Sequence, residues 1–568
     1  MGLSHKEAAP KYKARLLRRV GLYYLGVKQN KTQVDYTAYG TGYQVSLPMD
    51  IEIMIPSDEP VRLLSAVTEE LNYEKLTATY SQLGRNEYPP RLLFKVVFYG
   101  CCRGIYATRE IERACRENVN FMYLLEGQRP PNHNTIARFR KEHLPYAVEE
   151  LLDQMVKLLM QNGEISFERS AVFIDGTKIE ANANRYSFVW KTAVTNRQRK
   201  LGEKIAEELP KRLEASGTGI HAPCIITVRR LKKLRKGLYA KKKEQNITFV
   251  KGKGHHKPGL QKAIETITEW LKKLKRYNLD IHICGDRNSY SKTDVDATFM
   301  HMKEDHMKNG QLKPGYNMNV ATVSEYIIGN HISADRADTK TFIPFLEKLR
   351  KQYPVKRVVV DSGYESEENY RYVDGSEQLS LFVKPSNHEQ KKKQSYKNDI
   401  GRRETMAYDA EKDEYTCAQG QKLREVTVKK QKSETGYIRE TSVYECADCK
   451  DCPVKETCIR QKKTDKTPLE DRVKRLYVSK YFIQQREAME KKISTDEGIL
   501  LRVNRSIQAE GVFAMIKEDM NFRRFLTRGK VNVMVEWYLV SMAYNVLKLH
   551  HKIQTGRLGN HLFALDAA

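Results

Sequence analysis

Two aspartates stand where an apolar run stops. Ala171-Val172-Phe173-Ile174 leads into Asp175, Gly176 and Thr177, and Val358-Val359-Val360 leads into Asp361, Ser362 and Gly363. Short apolar runs that end in turn residues predict buried strands. A single acid at such a place accepts backbone N–H groups from the following turn. Two of them in one domain are desolvated carboxylates that repel each other and call for a cation between them. A hard divalent ion with oxygen ligands, magnesium in a cell, meets that need. A third acid is available in "RVNRSIQAEGVFAMIKEDMNFRRFLTRGK", which reads as an amphipathic helix with Glu510, Phe513/Ala514 and Lys517 on one stripe. A solvated ion-pair face is the plainer reading of that helix. Asp286, Asp294 and Asp296 have no apolar strand before them and read as loop caps.

A second chemistry lies in "TCAQGQKL" and "YECADCKDCPVKETC". Cys417, Cys446, Cys449, Cys452 and Cys458 are half of the ten cysteines in the chain. Their C-x2-C spacing can present thiolates to one tetrahedral metal, for which zinc is the choice. The expected ligands are Cys417, Cys449, Cys452 and Cys458, with Cys446 as the alternative; reduced thiols in a loop-rich insertion are the other reading. A ferredoxin run is not met, because Glu456 stands where its fourth cysteine belongs. Cys101, Cys102, Cys115, Cys224 and Cys284 are scattered and read as ordinary buried thiols.

The rest of the chain has to position these groups and supply a partner. At 568 residues it holds several domains, and a net charge of +28 favours polyanions, nucleic acid before membrane. No run is apolar enough to span a bilayer, and the N-terminus lacks a signal peptide's apolar core, so a cytoplasmic protein with reduced thiols is expected. From Pro89 the pattern predicts short helices. One restarts at Thr108 as N-cap after a break at Gly104, with Glu112 near its first turn; another, capped by Asn134 or Thr135, carries Arg138, Arg140 and Lys141. They suggest a helix-turn-helix array or a plain bundle with a basic face. After Asp175, "TKIEANANRYSFV" predicts a second strand paired to the first through a Gly176 turn. "RRLKKLRKGLYAKKK" puts nine Lys or Arg in fifteen residues, with Leu231, Leu234 and Leu238 at helical spacing, and phosphate binding is its expected role. Two β-rich runs flank a turn near Ser324-Glu325, a helix capped by Asp338 or Thr339 follows, and "LSLFVKPS" is a further strand ending at Lys384. The alternation predicts an α/β layered domain with functional groups at strand ends. Phe522 and Phe525, also at helical spacing, read as core anchors.

"FIDGTKIEANANRYSFVWK", "SKTDVDATFMHMK" with "KPGYNMNVA", "VVVDSGYESEENY", the cysteine cluster and "RSIQAEGVFAMIKEDMNFRRFLTRG" resemble bacterial insertion-sequence transposases of the DDE type, in the family's order from about Pro89 to His551. That resemblance implies an RNase H-like core (166–190 and 311–390) and an N-terminal arm over 1–70. It also implies a helical DNA-binding domain (71–165), a basic helical insertion (191–310), a Cys-rich insertion (391–475) and a C-terminal helical part (476–555) carrying the last acid. The implied triad is Asp175, Asp361 and Glu510, holding two magnesium ions, with manganese as a substitute. Of the family's Tyr-Arg-Glu-Lys signature, Lys517 fits; Val503 and Ser506 stand at the Tyr and Arg positions, with Arg505 one residue away. Lys517, Arg505, Arg138, Arg140, Arg523, Arg524 and Arg528 are the implied DNA contacts. The implied partners are transposon terminal repeats and target DNA, in a homodimer or larger synaptic complex associated with the nucleoid. A nuclease without strand transfer and a catalytically inactive DNA-binding regulator are the alternatives.

Overall fold

A computed structural model of the protein describes residues 54–81, 88–251, 255–302, 310–461 and 467–562. The chain divides after Ser57, and the unit that begins at Asp58 holds every element below. Most of the arm expected up to residue 70 lies outside the described residues. Its last stretch is a helix, Pro60–Glu69, with proline in its first turn and Val61 and Leu64 buried.

In chain order the strands are β1 Val172–Glu180, β2 Phe188–Trp190, β3 Ser289–Ser291, β4 Thr298–His301, β5 Leu312–Val323, β6 Tyr326–Ser333, β7 Arg357–Val360, β8 Ser380–Val383, β9 Ala407–Asp409, β10 Glu414–Thr416, β11 Lys422–Lys432, β12 Ile438–Cys446 and β13 Arg475–Val478. The central sheet runs β6-β5-β1-β7-β8, with β4 joining β5 beyond the end of β6. β5 is antiparallel to both its long neighbours, whereas β1, β7 and β8 are mutually parallel. The chain is thus mixed α/β. Ser324 and Glu325 form the β5–β6 turn with φ of 51° and 73°, where the sequence places a turn.

β1 differs from its expectation. It does not stop at Asp175, and no second strand folds back through Gly176; one strand runs to Glu180, paired along β5 with Gly176 opposite Asn319. Backbone pairing with the twelve-residue β5 satisfies every group that a turn would have left exposed. Gly176 serves close approach instead. A Cβ there would stand 3.0 Å from Asp338 Oδ1 and 3.1 Å from the Tyr364 hydroxyl.

The long helix Lys530–Gln554 covers β6 at the sheet edge. The Asn545 side chain bonds both the N–H and the C=O of Ile327, at 2.8 Å each, and Trp537 donates its indole N–H to Asn330 Oδ1 at 2.9 Å. These bonds occupy groups that an open edge strand would expose. Helices Pro60–Glu69, Pro90–Cys102 and Val148–Gln161 pack on the same long helix. Phe522 and Phe525 are buried beside Trp537 as anchors, although their segment is extended rather than helical.

Several caps move. The helix at Thr108 begins there, but Ala107 holds the cap position and no side chain caps it. Asn132, not Asn134 or Thr135, caps the next helix by accepting from Asn134 N–H, because Pro130-Pro131 keep the chain extended until just before it. Asp338 lies in a 3₁₀ turn and the helix itself is Phe342–Gln352 after Thr341, so the Asp338 carboxylate is released for other work.

Between β2 and β3, helices Lys191–Glu214, Val228–Glu244 and Gly259–Cys284 form a bundle with its own core, in which Leu231, Leu234 and Leu238 are buried. β9 to β13 make a separate antiparallel sheet ordered β13-β12-β11-β10-β9. No helix among the described residues is long and apolar enough to cross a membrane.

Candidate active site

The parallel register pairs Ile174 with Val360, so Asp175 and Asp361 come next as neighbours on adjacent strands. Strands in a sheet lie about 4.8 Å apart. The register therefore brings Asp175 and Asp361 near each other at the carboxyl end of β7. Asp175 is only 6% exposed. Burial, and then the charges of Asp338, Asp175 and Asp361, push the Tyr364 phenol well above its ordinary value, which places three acids around one hydroxyl.

Glu510 is linked to Asp175 from another direction, through Arg505. Leu501 and Ala509 bury against Ala171, Phe173, Val359 and Phe382, seating the helix Asp496–Arg505 and the turn after it on the sheet. Gln508 accepts the Glu325 N–H at 3.0 Å and ties that turn to the β5–β6 hairpin. The Arg505 guanidinium then lies between two acids, 3.6 Å from Asp175 Oδ2 and 3.0 Å from Glu510 Oε1. A cation of the protein's own stands where opposed carboxylates require positive charge. The other Glu510 oxygen accepts from the Ser506 hydroxyl at 3.3 Å, and the side chain is 57% exposed.

The stripe expected for Glu510 and Lys517 does not exist. Ser506–Glu510 and Met515–Asp519 are π-helical turns flanking the short α-turn Gly511–Ala514. Each extra residue in a turn rotates the succeeding turn by about 100°. Lys517 is consequently buried while Glu510 and Ala514 are exposed. π-Turns in α-helices concentrate at functional sites, and here one ends on the acid itself.

Asp338 carries no strand-end signature in the sequence, because the segment 334–337 separates it from β6. Its Oδ1 accepts from Asn317 Nδ2 at 2.6 Å, and its Oδ2 would be 3.4 Å from a Cβ at Gly363. The Tyr364 hydroxyl donates to Asn319 Oδ1 at 2.9 Å, closing a polar floor beneath the acids. A signal did exist: glycine comes after both Asp175 and Asp361 within two residues, and each makes room for this carboxylate.

Among the other expected contacts, Arg138, Arg523, Arg524 and Arg528 are on the surface. Arg523 pairs with Glu518, and Arg528 Nε donates to Asn182 O at 2.8 Å. Arg140 differs: it is 7% exposed, held by Tyr106 O at 2.7 Å and facing Glu536 at 3.8 Å. Arg140 lies in the π turn Phe139–His143, where it and Phe139 are the buried residues. Asp294 and Asp296 are caps, though of a distant element; they accept the N–H groups of Gly529 and Lys530 at 3.2 and 2.8 Å, where the long helix starts.

All ten cysteines are free thiols. Cys417, Cys446, Cys449, Cys452 and Cys458 line one cavity of about 250 Å³ with Lys474 beside them. Burial and then the neighbouring Cys449 thiol raise Cys446 to about 12. Among the described residues, no three His, Cys, Asp or Glu side chains are drawn up as metal ligands, at the acids or at the thiols. The donor sets nevertheless suit the two ions: hard oxygens at the sheet, where Arg505 stands in for a cation, and soft sulfurs at the cavity.

Comparison with protein families matches residues 49–142 to a transposase domain (DUF772) and residues 416–550 to a transposase DDE domain. The second match spans Arg505, Glu510, Lys517 and the five clustered thiols; neither reaches Asp175 or Asp361. No curated protein and no solved structure matches the chain.

Proposed function

We propose, for a chain that belongs to the insertion-sequence transposases of the DDE type, that it binds transposon ends, cleaves a phosphodiester and joins the freed 3′-OH to target DNA. One observation carries this reading: Asp175 and Asp361 are neighbours on parallel strands, and Arg505 links Asp175 to Glu510. The sheet order β6-β5-β1-β7-β8, antiparallel on one side of β1 and parallel on the other, supports an RNase H-like core.

Asp175, Asp361 and Glu510 would hold two magnesium ions, with manganese as a substitute. When bound, such a pair activates a water and stabilises the leaving 3′-oxygen of an in-line displacement. The protein's own part is positional. Asp175 is fixed within β1 and Asp361 at the end of β7, whereas Glu510, exposed on its π turn and held by Arg505 and Ser506, would turn to the ion as its ligand. Arg505, which stands beside Asp175 and Glu510, would offer its planar fork to a phosphate at the acids. Lys517 is buried beneath this surface and supports the helix rather than meeting DNA first. Arg138, Arg523, Arg524, Arg528 and the Arg229–Lys243 segment supply counterion-releasing contacts along the strand. Two ends must be brought together, so a homodimer or larger synaptic complex is the working assembly, acting where DNA is found in the bacterial cytoplasm.

The test is a strand-transfer assay with a labelled end bearing a free 3′-OH, target DNA and magnesium. Joined product is expected. Nicking alone would make the chain a nuclease, and gel retardation alone a regulator.

Zinc in the thiol cavity is the second part of the proposal, held by Cys417, Cys449, Cys452 and Cys458 with Cys446 as alternate. Deprotonation on metal would reverse the raised Cys446 and Cys458 values. Elemental analysis of protein purified in reductant should find about one zinc per chain, lost in Cys449→Ser/Cys452→Ser; a metal-free wild type refutes it.

A further inference from the structure

A cavity of about 440 Å³ opens between the helix that carries Arg140 and Lys141, the loop after β1 at Asn182, and the segment Leu526–Val535. Among the described residues no acidic side chain lines it; Arg140, Lys141 and Arg528 do. Arg140 is more than nine-tenths buried, yet its Nε and Nη2 have no hydrogen-bond partner among the described residues. The nearest acid cannot serve them well. Glu536 already accepts from Leu526 N at 3.0 Å, Thr527 N at 3.1 Å and Thr527 Oγ1 at 2.6 Å, and stands 3.8 Å from Nη2. A guanidinium buried with two N–H-bearing nitrogens unsatisfied marks the place of an absent acceptor.

The surroundings say what that acceptor is. Arg528, held through its Nε on Asn182 O, and the exposed Lys141 add positive charge at the mouth, so the acceptor is anionic. Arg140 offers a planar fork of the kind that phosphate oxygens fill. Ala137, Leu526 and Val535 give part of the wall an apolar character suited to a sugar, and the volume falls in the range of small-ligand sites. Asn182 lies just past the end of β1, and five residue steps along that strand, about 17 Å, lead from Asp175 to Glu180.

We propose that this cavity takes one backbone phosphate of bound DNA, with its sugar, a short distance along the strand from the reacting phosphodiester. The inference rests on the transposase reading for the identity of the strand and on the cavity for the phosphate. Such a contact would fix the register of the DNA across the acids.

Neutral methylphosphonates placed one at a time along an end-containing duplex test it, with wild type compared to Arg140→Gln. One position should weaken wild-type binding by about tenfold and have no further effect in Arg140→Gln. Lys141→Ala/Arg528→Ala, whose changes lie at the mouth, should show the same loss of sensitivity even if Arg140→Gln fails to fold. In a parallel arm, thermal stability is followed with inorganic phosphate and a deoxynucleoside monophosphate. Protection of wild type alone, without any coupled position on DNA, overturns the strand as occupant in favour of a free nucleotide. Neither coupling nor protection overturns the site. A protein that binds no DNA removes the transposase reading instead, and the cavity then stands or falls on the nucleotide arm.

Discussion

Asp361→Asn should lower DNA cleavage by on the order of 10³-fold or more while leaving end binding within about twofold. The amide is nearly the same shape, so β7 and its register with β1 are undisturbed. What disappears is a negative oxygen near Asp175, and with it half of the charge on these two residues that would draw a divalent ion. Asp175→Asn should behave alike. The double variant should be little worse than either single one, because groups that hold the same ions act as a unit. The checks are a nicking assay with magnesium and a retardation assay on the same duplex. Undiminished nicking by Asp361→Asn would remove that residue from the site.

Lys552→Met should cost about 3–5 kcal/mol of folding stability. The Lys552 ammonium meets Glu164 Oε2 at 2.8 Å with both side chains 2% exposed, joining the end of the long helix to the segment before β1. Removing the lysine strands a carboxylate that also accepts from the Tyr326 hydroxyl at 2.7 Å and from Gly559 N–H at 2.5 Å. Urea unfolding followed by tryptophan fluorescence, to which Trp537 on the same helix contributes, reads the loss. Glu164→Leu/Lys552→Met should recover much of it, since an apolar pair leaves no charge to solvate. A loss under about 0.5 kcal/mol for the single variant would show the pair to be hydrated.

The same pair fixes an acid limit. Burial pushes Glu164 up, but the Lys552 ammonium, the Gly559 N–H and the Tyr326 hydroxyl outweigh it, and the folded value ends below the ordinary 4.5. A depressed carboxylate contributes stability that is complete above its unfolded value and is lost as pH falls through the folded one. Wild type should therefore weaken below about pH 4.5, and Glu164→Leu/Lys552→Met should weaken less over that range.

What the sequence determined by itself was local. Apolar runs around Asp175 and Asp361, the β5–β6 turn and the leucine spacing of the basic helix are nearest-neighbour patterns, and burial tracks them directly. The strand-end acids could be suspected as a pair for the same reason: a carboxylate beside an apolar strand is anomalous wherever it occurs. Charge, too, is additive along a chain, so a polyanionic partner was legible from composition. Tertiary structure alone decided the rest. Whether Gly176 turned or continued depended on β5, a partner more than a hundred residues away. The facing of Lys517 depended on π turns, which leave no mark in a 3.6-residue period because the extra residue is accommodated by packing on the sheet. Asp338 joined the acids through two glycines, one within β1 and one just past β7, and Arg140 turned from an expected surface contact into the floor of a cavity. Those outcomes are set by which distant backbones lie about 5 Å apart, and no local pattern records that distance.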